Sequence, residues 1–321
     1  MSEDVSSRNS GKVFPIRILA EKTHVGTSTL RAWERRYGLL KPQRTPKGHR
    51  LYREEDVIRV QEIIHLVDDG HSLTDVAKIL TLEAGTDTAS ISIRTDRQGE
   101  MTIWNGYVES TINAVSAFSI ERIDAVYNEA SSLYPLDMVT ERLVQPVLDI
   151  LGQVWEEHPE KGIAEEHFYT SWLKHRLGAR FHHAYAYAKG ARIICACLPG
   201  SYHEAGLMLF SLSALSRGYR VLYFGADLPL GQLAHIQRHS AAKAIVLSSN
   251  TPISGTVNAE LLPLLPKLKT PVFLGGKVDV HDPASSAFQS AGGILLGSNL
   301  TVALRVFERQ VPAYPSAGKN R

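Results

Sequence analysis

Residues 12–60 read KVFPIRILAEKTHVGTSTLRAWERRYGLLKPQRTPKGHRLYREEDVIRV. Ile16, Leu19, Ala20 and Val25 carry the apolar spacing of a short helix. Thr27 or Ser28 is the expected N-cap of a second helix over Thr29–Tyr37. That helix carries Arg31, Arg35 and Arg36 beside Trp33 and Tyr37. Lys41–Tyr52 follows, with Lys41, Arg44, Lys47, His49 and Arg50 set around Pro42, Pro46 and Gly48, which reads as a β-hairpin.

Charge is concentrated in this region. Residues 8–53 hold twelve lysines and arginines against two acids, Glu21 and Glu34, although the whole chain has a formal charge of only +2. A local excess of that size is a footprint for a polyanion. A membrane surface is the competing partner, but no basic helix here has the broad apolar face it needs. Two short helices with a basic second member form a helix-turn-helix, whose second helix enters the major groove while a wing reaches the phosphates.

The stretch resembles the MerR-type winged helix-turn-helix. The matching residues, in order, are Leu19-Ala20, Thr29-Leu30-Arg31, Glu34-Arg35, Gly38-Leu39-Leu40, Pro42, Arg44, Gly48, Arg50-Leu51-Tyr52 and Asp56. Double-stranded operator DNA is the implied partner. The implied contacts are Thr29, Arg31, Arg35, Arg36, Tyr37, Arg44, Lys47, His49, Arg50 and Tyr52.

A chain of 321 residues implies two or three domains. Residues 1–11 are polar, lack a signal-peptide core and read as disordered. No apolar run approaches a membrane span. Cys195 and Cys197 lie two apart on one expected strand, which suits buried thiols in a reducing compartment better than a disulfide. The expected location is the cytoplasm.

Residues 12–82 form the DNA-binding unit. Its last two helices are separated by a turn at Gly70-His71-Ser72-Leu73, with Ser72 as N-cap. Residues 83–100 are rich in Thr, Ser, Asp and Gly and read as a linker. Helical periodicity returns over 101–188 in four segments, 103–117, 119–133, 135–155 and 164–187, which implies a four-helix bundle. Residues 190–312 change period. Short apolar strands are expected at 192–198, 220–224, 244–248, 272–274 and 294–296, alternating with helices. That pattern gives a doubly wound, flavodoxin-like sheet with a ligand crevice beyond the strands' carboxyl ends. Residues 313–321 read as a tail. The fold class is therefore multidomain: winged helix-turn-helix, four-helix cap, and α/β domain.

The first strand of the α/β half leads into Ser201-Tyr202-His203-Glu204-Ala205-Gly206. His203 thus sits at the mouth of the crevice, where a neutral imidazole can hold a metal. Gly206 allows close backbone approach. Ser248 and Gly275-Gly276 end the third and fourth strands, so the three loops line one groove suited to a long polar ligand tail.

This half resembles a cobalamin-binding domain, whose pattern is acidic-x-His-x-x-Gly, Ser-x-Leu and Gly-Gly. The resemblance assigns His203 as the lower axial cobalt ligand and places the cofactor tail by Gly206, Ser248, Gly275 and Gly276. Ser201 stands at the acidic position and Asn250 at the Leu of Ser-x-Leu. A serine hydroxyl can accept the N–H of the ligating ring, but without the charge of a carboxylate.

The helical segment is similar to that of photoreceptor repressors of the CarH/LitR type, which carry a Trp, nine residues, then Glu-His. Here Trp155 precedes Glu166-His167 with ten residues between them. The resemblance implies that Trp155 and Glu166 face the upper adenosyl group and that His167 takes the upper cobalt position after photolysis. It implies a non-enzymatic regulator, expected to be a repressor, with adenosylcobalamin (cobalt) as cofactor. Light would control homo-oligomerisation, as dimer or tetramer, and RNA polymerase is a further expected partner. The alternative is a cobalamin-independent regulator resembling MlrA, which shares the 31–45 run. A cobalamin methyltransferase or mutase component is the less favoured class, because no substrate barrel is present.

Overall fold

The computed structural model describes residues 13–69, 71–83, 97–186, 188–279 and 281–314; the side chains of 82, 83 and 97–102 lie outside that description. The expectations for residues 1–11, for Gly70 and for most of the linker also fall outside it. The chain divides into two compact units, Met1–Ile150 and Leu151–Arg321.

The first unit opens with β1 (Phe14–Pro15) and α1 (Ile16–Thr23). Then come α2 (Thr27–Ala32), running on into a π turn at Trp33–Tyr37, β2 (Gln43–Arg44), β3 (Arg50–Tyr52), α3 (Glu54–Asp68) and α4 (Leu73–Glu83). The strands form one antiparallel sheet in the order β1-β3-β2. The expected hairpin wing is present, with Gln43 opposite Leu51 and Arg44 opposite Arg50. Leu19, Val25, Leu30, Trp33, Leu40, Val60 and Ile63 are buried and make the core.

Local chemistry sets the boundaries. α2 starts at Thr27 with Gly26 as N-cap, so neither Thr27 nor Ser28 caps it; both lie in its first turn. Gly38 ends the π turn in the left-handed region at φ 65°, which a Cβ would disfavour. Ser72 does cap α4: its Oγ accepts from the Asp75 amide at 3.2 Å and its hydroxyl donates to the Asp75 carboxylate at 2.6 Å. Those bonds hold the Asp75 carboxyl below its usual range, the Ser72 contribution first and Lys78 second.

The helices α5 (Arg97–Ser116), α6 (Ile120–Leu133) and α7 (Leu136–Val139) follow. A π turn at Thr140–Val144 then leads into α8 (Gln145–Glu157). Residues 97–100, expected in the linker, are helical. The winged unit packs against these helices. The Trp33 indole donates to the Leu133 carbonyl at 2.8 Å, and the Arg142 guanidinium to the Asp68 carbonyl at 3.1 Å.

The second unit takes the end of α8 and the long α9 (Pro159–Tyr185), so the four helices expected as one domain are shared between the units. It continues with β4 (Arg192–Cys197), α10 (Ala205–Ser216), β5 (Arg220–Gly225), α11 (Leu233–Ser240), β6 (Ala244–Ser249), α12 (Gly255–Leu261), β7 (Val272–Gly276), α13 (Pro283–Ser290), β8 (Ile294–Gly297) and α14 (Leu300–Gln310). The parallel sheet runs β5-β4-β6-β7-β8, the flavodoxin-like order.

Alternate residues of each central strand feed two cores. Ile193, Cys195 and Val246 meet Phe210 of α10 and Phe307 of α14 on one face. Ile194, Ala196 and Leu247 meet Leu233 of α11 and Phe288 of α13 on the other. Burial on both faces explains the continuous apolar runs. Cys195 and Cys197 are buried free thiols on one face, and burial pushes both up to about 12. The expected tail begins too early. Ala313 accepts from the Ala191 amide at 2.6 Å, and the Tyr314 ring lies over Gly218, so both residues are part of the fold.

Candidate functional site

In the winged unit, Arg31, Arg35 and Arg36 of the second helix are exposed, as are Arg44, Lys47 and His49 of the wing. Tyr37 and Arg50 are half-buried. Thr29 and Tyr52 depart from the expectation that they contact DNA. They are 3% and 0% exposed, Thr29 beside the core residue Leu30 and Tyr52 on the inner side of β3 opposite Phe14. Neither has surface to offer a groove.

Glu34 organises the wing from beneath. One carboxylate oxygen accepts from Arg44 at 3.0 Å and the other from Arg50 Nε. The Arg50 guanidinium is held above its usual range, chiefly by that bond. The positive face is therefore built from exposed arginines on the helix and carboxylate-held arginines on the wing. Glu34 stood in the family pattern, but nothing in its spacing marked it as an anchor.

The second site lies in the other unit, where α9 meets the loop between β4 and α10. Gly162 allows α9 to start close to the end of α8: a Cβ there would lie 2.6 Å from the Trp155 backbone. Trp155, half-buried, consequently faces two histidines. Its ring centroid is 5.8 Å from His167 and 5.5 Å from His203, the latter edge-on. Glu166, 6% exposed, points its Oε1 at His203 Nδ1, 3.3 Å away. A carboxylate can only accept, so in the neutral ring Nδ1 carries the proton and the lone pair stands on Nε2. Trp155, Glu166, His167 and His203 are thus brought together.

The loop bearing His203 is held on three sides. Asn250 donates to the His203 carbonyl at 3.1 Å. Asp227, in the left-handed region at φ 53°, accepts from the Gly200 amide at 2.8 Å. The Asp227 amide donates to the Ser201 carbonyl at 3.3 Å. Ser201 does not orient the imidazole. Its Oγ is buried with no hydrogen-bond partner among the described residues, and the ring turns to Glu166 instead. Asp227 was not legible as an anchor, because its partners lie on another loop.

Ser248 and Gly275 pair in register at the ends of β6 and β7, as do Ser249 and Gly276. Gly276 is required by the sheet itself: a Cβ would sit 2.1 Å from the Ser249 carbonyl oxygen. Gly206 and Gly275 are different. A Cβ at Gly206 would meet nothing within 4 Å, and one at Gly275 only ordinary contacts at 3.5 Å. The protein's own packing does not demand either glycine, which leaves room for a ligand to approach the backbone. An imidazole at the crevice mouth and this open backbone fit a corrinoid. Among the described residues no cluster of three metal-ligating side chains occurs.

The family model described as MerR HTH family regulatory protein matches residues 14–83, and that described as B12 binding domain matches 107–180. The HTH-type transcriptional repressor CarH of Myxococcus xanthus is 30% identical over 227 residues, covering 69% of this chain and 74% of that protein. CarA of the same organism is 26% identical over 68% of this chain and 70% of its own. The regulator MlrA of Escherichia coli is 31% identical over 42% of this chain and 50% of its own. The monomethylamine corrinoid protein of Methanosarcina barkeri shares the fold, with TM-score 0.51 and 13% identity over 64% of this chain and 98% of its own.

Proposed function

The chain belongs to the MerR-type transcriptional regulators that carry a B12-binding domain, and we propose that it holds adenosylcobalamin between Trp155-Glu166-His167 and His203 and uses it as a light switch on DNA binding. The observation that carries this reading is the convergence of Trp155, Glu166 and His167 on His203. Bound, the cofactor supplies a cobalt–carbon bond that visible light breaks.

The protein's part is to bind and to register that change. His203 would hold the metal through Nε2, from the loop pinned by Asn250 and Asp227. Gly206, Ser248, Gly275 and Gly276 accommodate the tail. Trp155 and Glu166 would cover the bound group, and exposed His167 would offer a second imidazole able to hold the metal. A ligand that favours one arrangement of these helices shifts the population of assemblies. Oligomers then place several winged helices on repeated half-sites, so operator affinity rises by effective concentration. The chain acts as a repressor rather than an enzyme, a reading supported by relatives named as transcriptional regulators.

A second reading rests on Ser201. Its buried, partnerless hydroxyl favours a degenerate site and a cobalamin-independent regulator of the MlrA kind. One experiment separates the two. Purified protein is mixed with adenosylcobalamin in the dark, and its spectrum and hydrodynamic size are followed before and after illumination. The light-switch reading requires a His-on spectrum and a size change on illumination. An unshifted spectrum at millimolar cofactor overturns it.

A further inference from the structure

Glu204 follows the proposed cobalt ligand directly, yet its side chain is turned away from the crevice. It is the N-cap residue of α10, and its carboxylate makes no cap bond to the helix amides. Instead one oxygen lies 3.0 Å from Lys174 Nζ of α9, and the other accepts from the Tyr223 hydroxyl of β5 at 2.9 Å. The strand is shaped for this. The register between β4 and β5 slips after Cys195–Tyr223, so that Ala196 pairs with Gly225. Gly225 is left-handed at φ 76°, and a Cβ there would crowd the Glu204 carboxylate at 3.1 Å. The carboxylate is only 18% exposed, and burial, then Glu204, pushes the Tyr223 phenol up.

Helix α9 therefore touches two consecutive residues of the same loop, through Glu166 on His203 and through Lys174 on Glu204. The two contacts differ in what a ligand does to them. A macrocycle held by the His203 ring and covered by Glu166 has to fit between two side chains that now touch at 3.3 Å. The first contact must part. The Lys174–Glu204–Tyr223 contacts do not involve the His203 ring and need not.

We propose that Glu204 is a positioning residue which, clamped by Lys174 and Tyr223, keeps α9 attached to the His203 loop when the Glu166–His203 contact opens. This rests on the proposed cobalamin reading for its purpose, but the clamp itself can be tested without the cofactor. Glu204→Gln, Lys174→Met and the swap Lys174→Glu with Glu204→Lys are compared with the parent full-length protein. Amide hydrogen exchange over 164–176 and 201–208 is measured without cofactor, and cobalamin affinity is then titrated. Each single variant is expected to raise exchange in both segments, and to weaken cobalamin binding, by roughly tenfold. The swap is expected to restore part of each loss. Parent-like exchange in both single variants overturns the proposal, as does exchange raised equally through β4 and β6, which would mean general destabilisation. A parent that binds no cobalamin sinks the site reading alone, because the exchange result still judges the clamp.

Discussion

Glu166 and His203, 37 residues apart, meet across the mouth of the α/β domain with Oε1 3.3 Å from Nδ1. The pair does two things at once. In the neutral ring it puts the proton on Nδ1, and it brings together the two side chains between which a covered ligand would have to fit. His203 is 41% exposed on its side chain, so solvent screens the contact, which contributes about 1 kcal/mol.

Removing the carboxylate therefore speeds entry. Glu166→Ala is expected to raise the cobalamin association rate about fivefold, the equivalent of about 1 kcal/mol. Stopped-flow absorbance checks this, and a rate equal to the parent's would show that the contact does not gate the site.

His203→Ala removes the only proposed lower ligand. The expected result is loss of the His-on spectrum and faster cofactor loss on gel filtration, with the ligand-free circular dichroism unchanged. Equal retention by the variant would sink the assignment.

On the DNA side, Arg35 is exposed and has no described carboxylate at hand, unlike Arg44 and Arg50, which Glu34 holds. If Arg35 makes a bidentate base contact, Arg35→Ala costs about 1–3 kcal/mol on specific operator. Glu34→Ala acts differently: it frees the wing arginines and weakens binding to all sequences alike. Fluorescence anisotropy on specific and scrambled duplexes distinguishes the two patterns.

Tyr52 tests a buried residue that the family pattern had placed at the interface. Burial pushes its phenol up to about 12, and its hydroxyl has no partner among the described residues. Tyr52→Phe removes an unsatisfied polar group. The melting temperature is expected to hold or rise and operator affinity to stay unchanged. A clear fall in either would reveal a role for the hydroxyl.

The two thiols give a pH prediction. Their native values of about 12 lie above the unfolded value near 8.5. Their contribution to stability is complete below that unfolded value and is lost as pH rises from it towards 12. At pH 8 the folded protein should resist iodoacetamide at both cysteines until denaturant is added. Rapid labelling of Cys195, at the centre of the sheet, would mean that β4 opens.

The sheet was legible in the sequence because its signal is local. Each of β4, β6 and β7 is a short apolar run, β6 ending in Ser and β7 in Gly, and such runs order themselves by the crossover rule. The wing was legible for the same reason, through Pro42, Gly48 and their flanking arginines. What escaped depends on contacts between distant residues. Periodicity could not show that Thr29 and Tyr52 face inward, because both residue types occur on either side of a fold. Ser201 stands two residues from His203, so sequence placed its hydroxyl on the ring, yet the loop turns it into the protein. Glu34 beneath the wing, Asp227 on a neighbouring loop and Lys174 on α9 have partners that no spacing rule names. The division of the expected bundle between two units is likewise a matter of packing.

The bond from the Trp33 indole to the Leu133 carbonyl has a practical corollary. Trp33 belongs to the DNA-reading helix and is 1% exposed, while its acceptor is the last residue of α6. A cut through the linker would bare this indole and strip its N–H of its acceptor. Residues 1–83 expressed alone are therefore not the same DNA-reading surface as in the whole chain. The helix proposed to meet the operator is shored from behind by α6, and rearrangement of α6 reaches it without an intermediary.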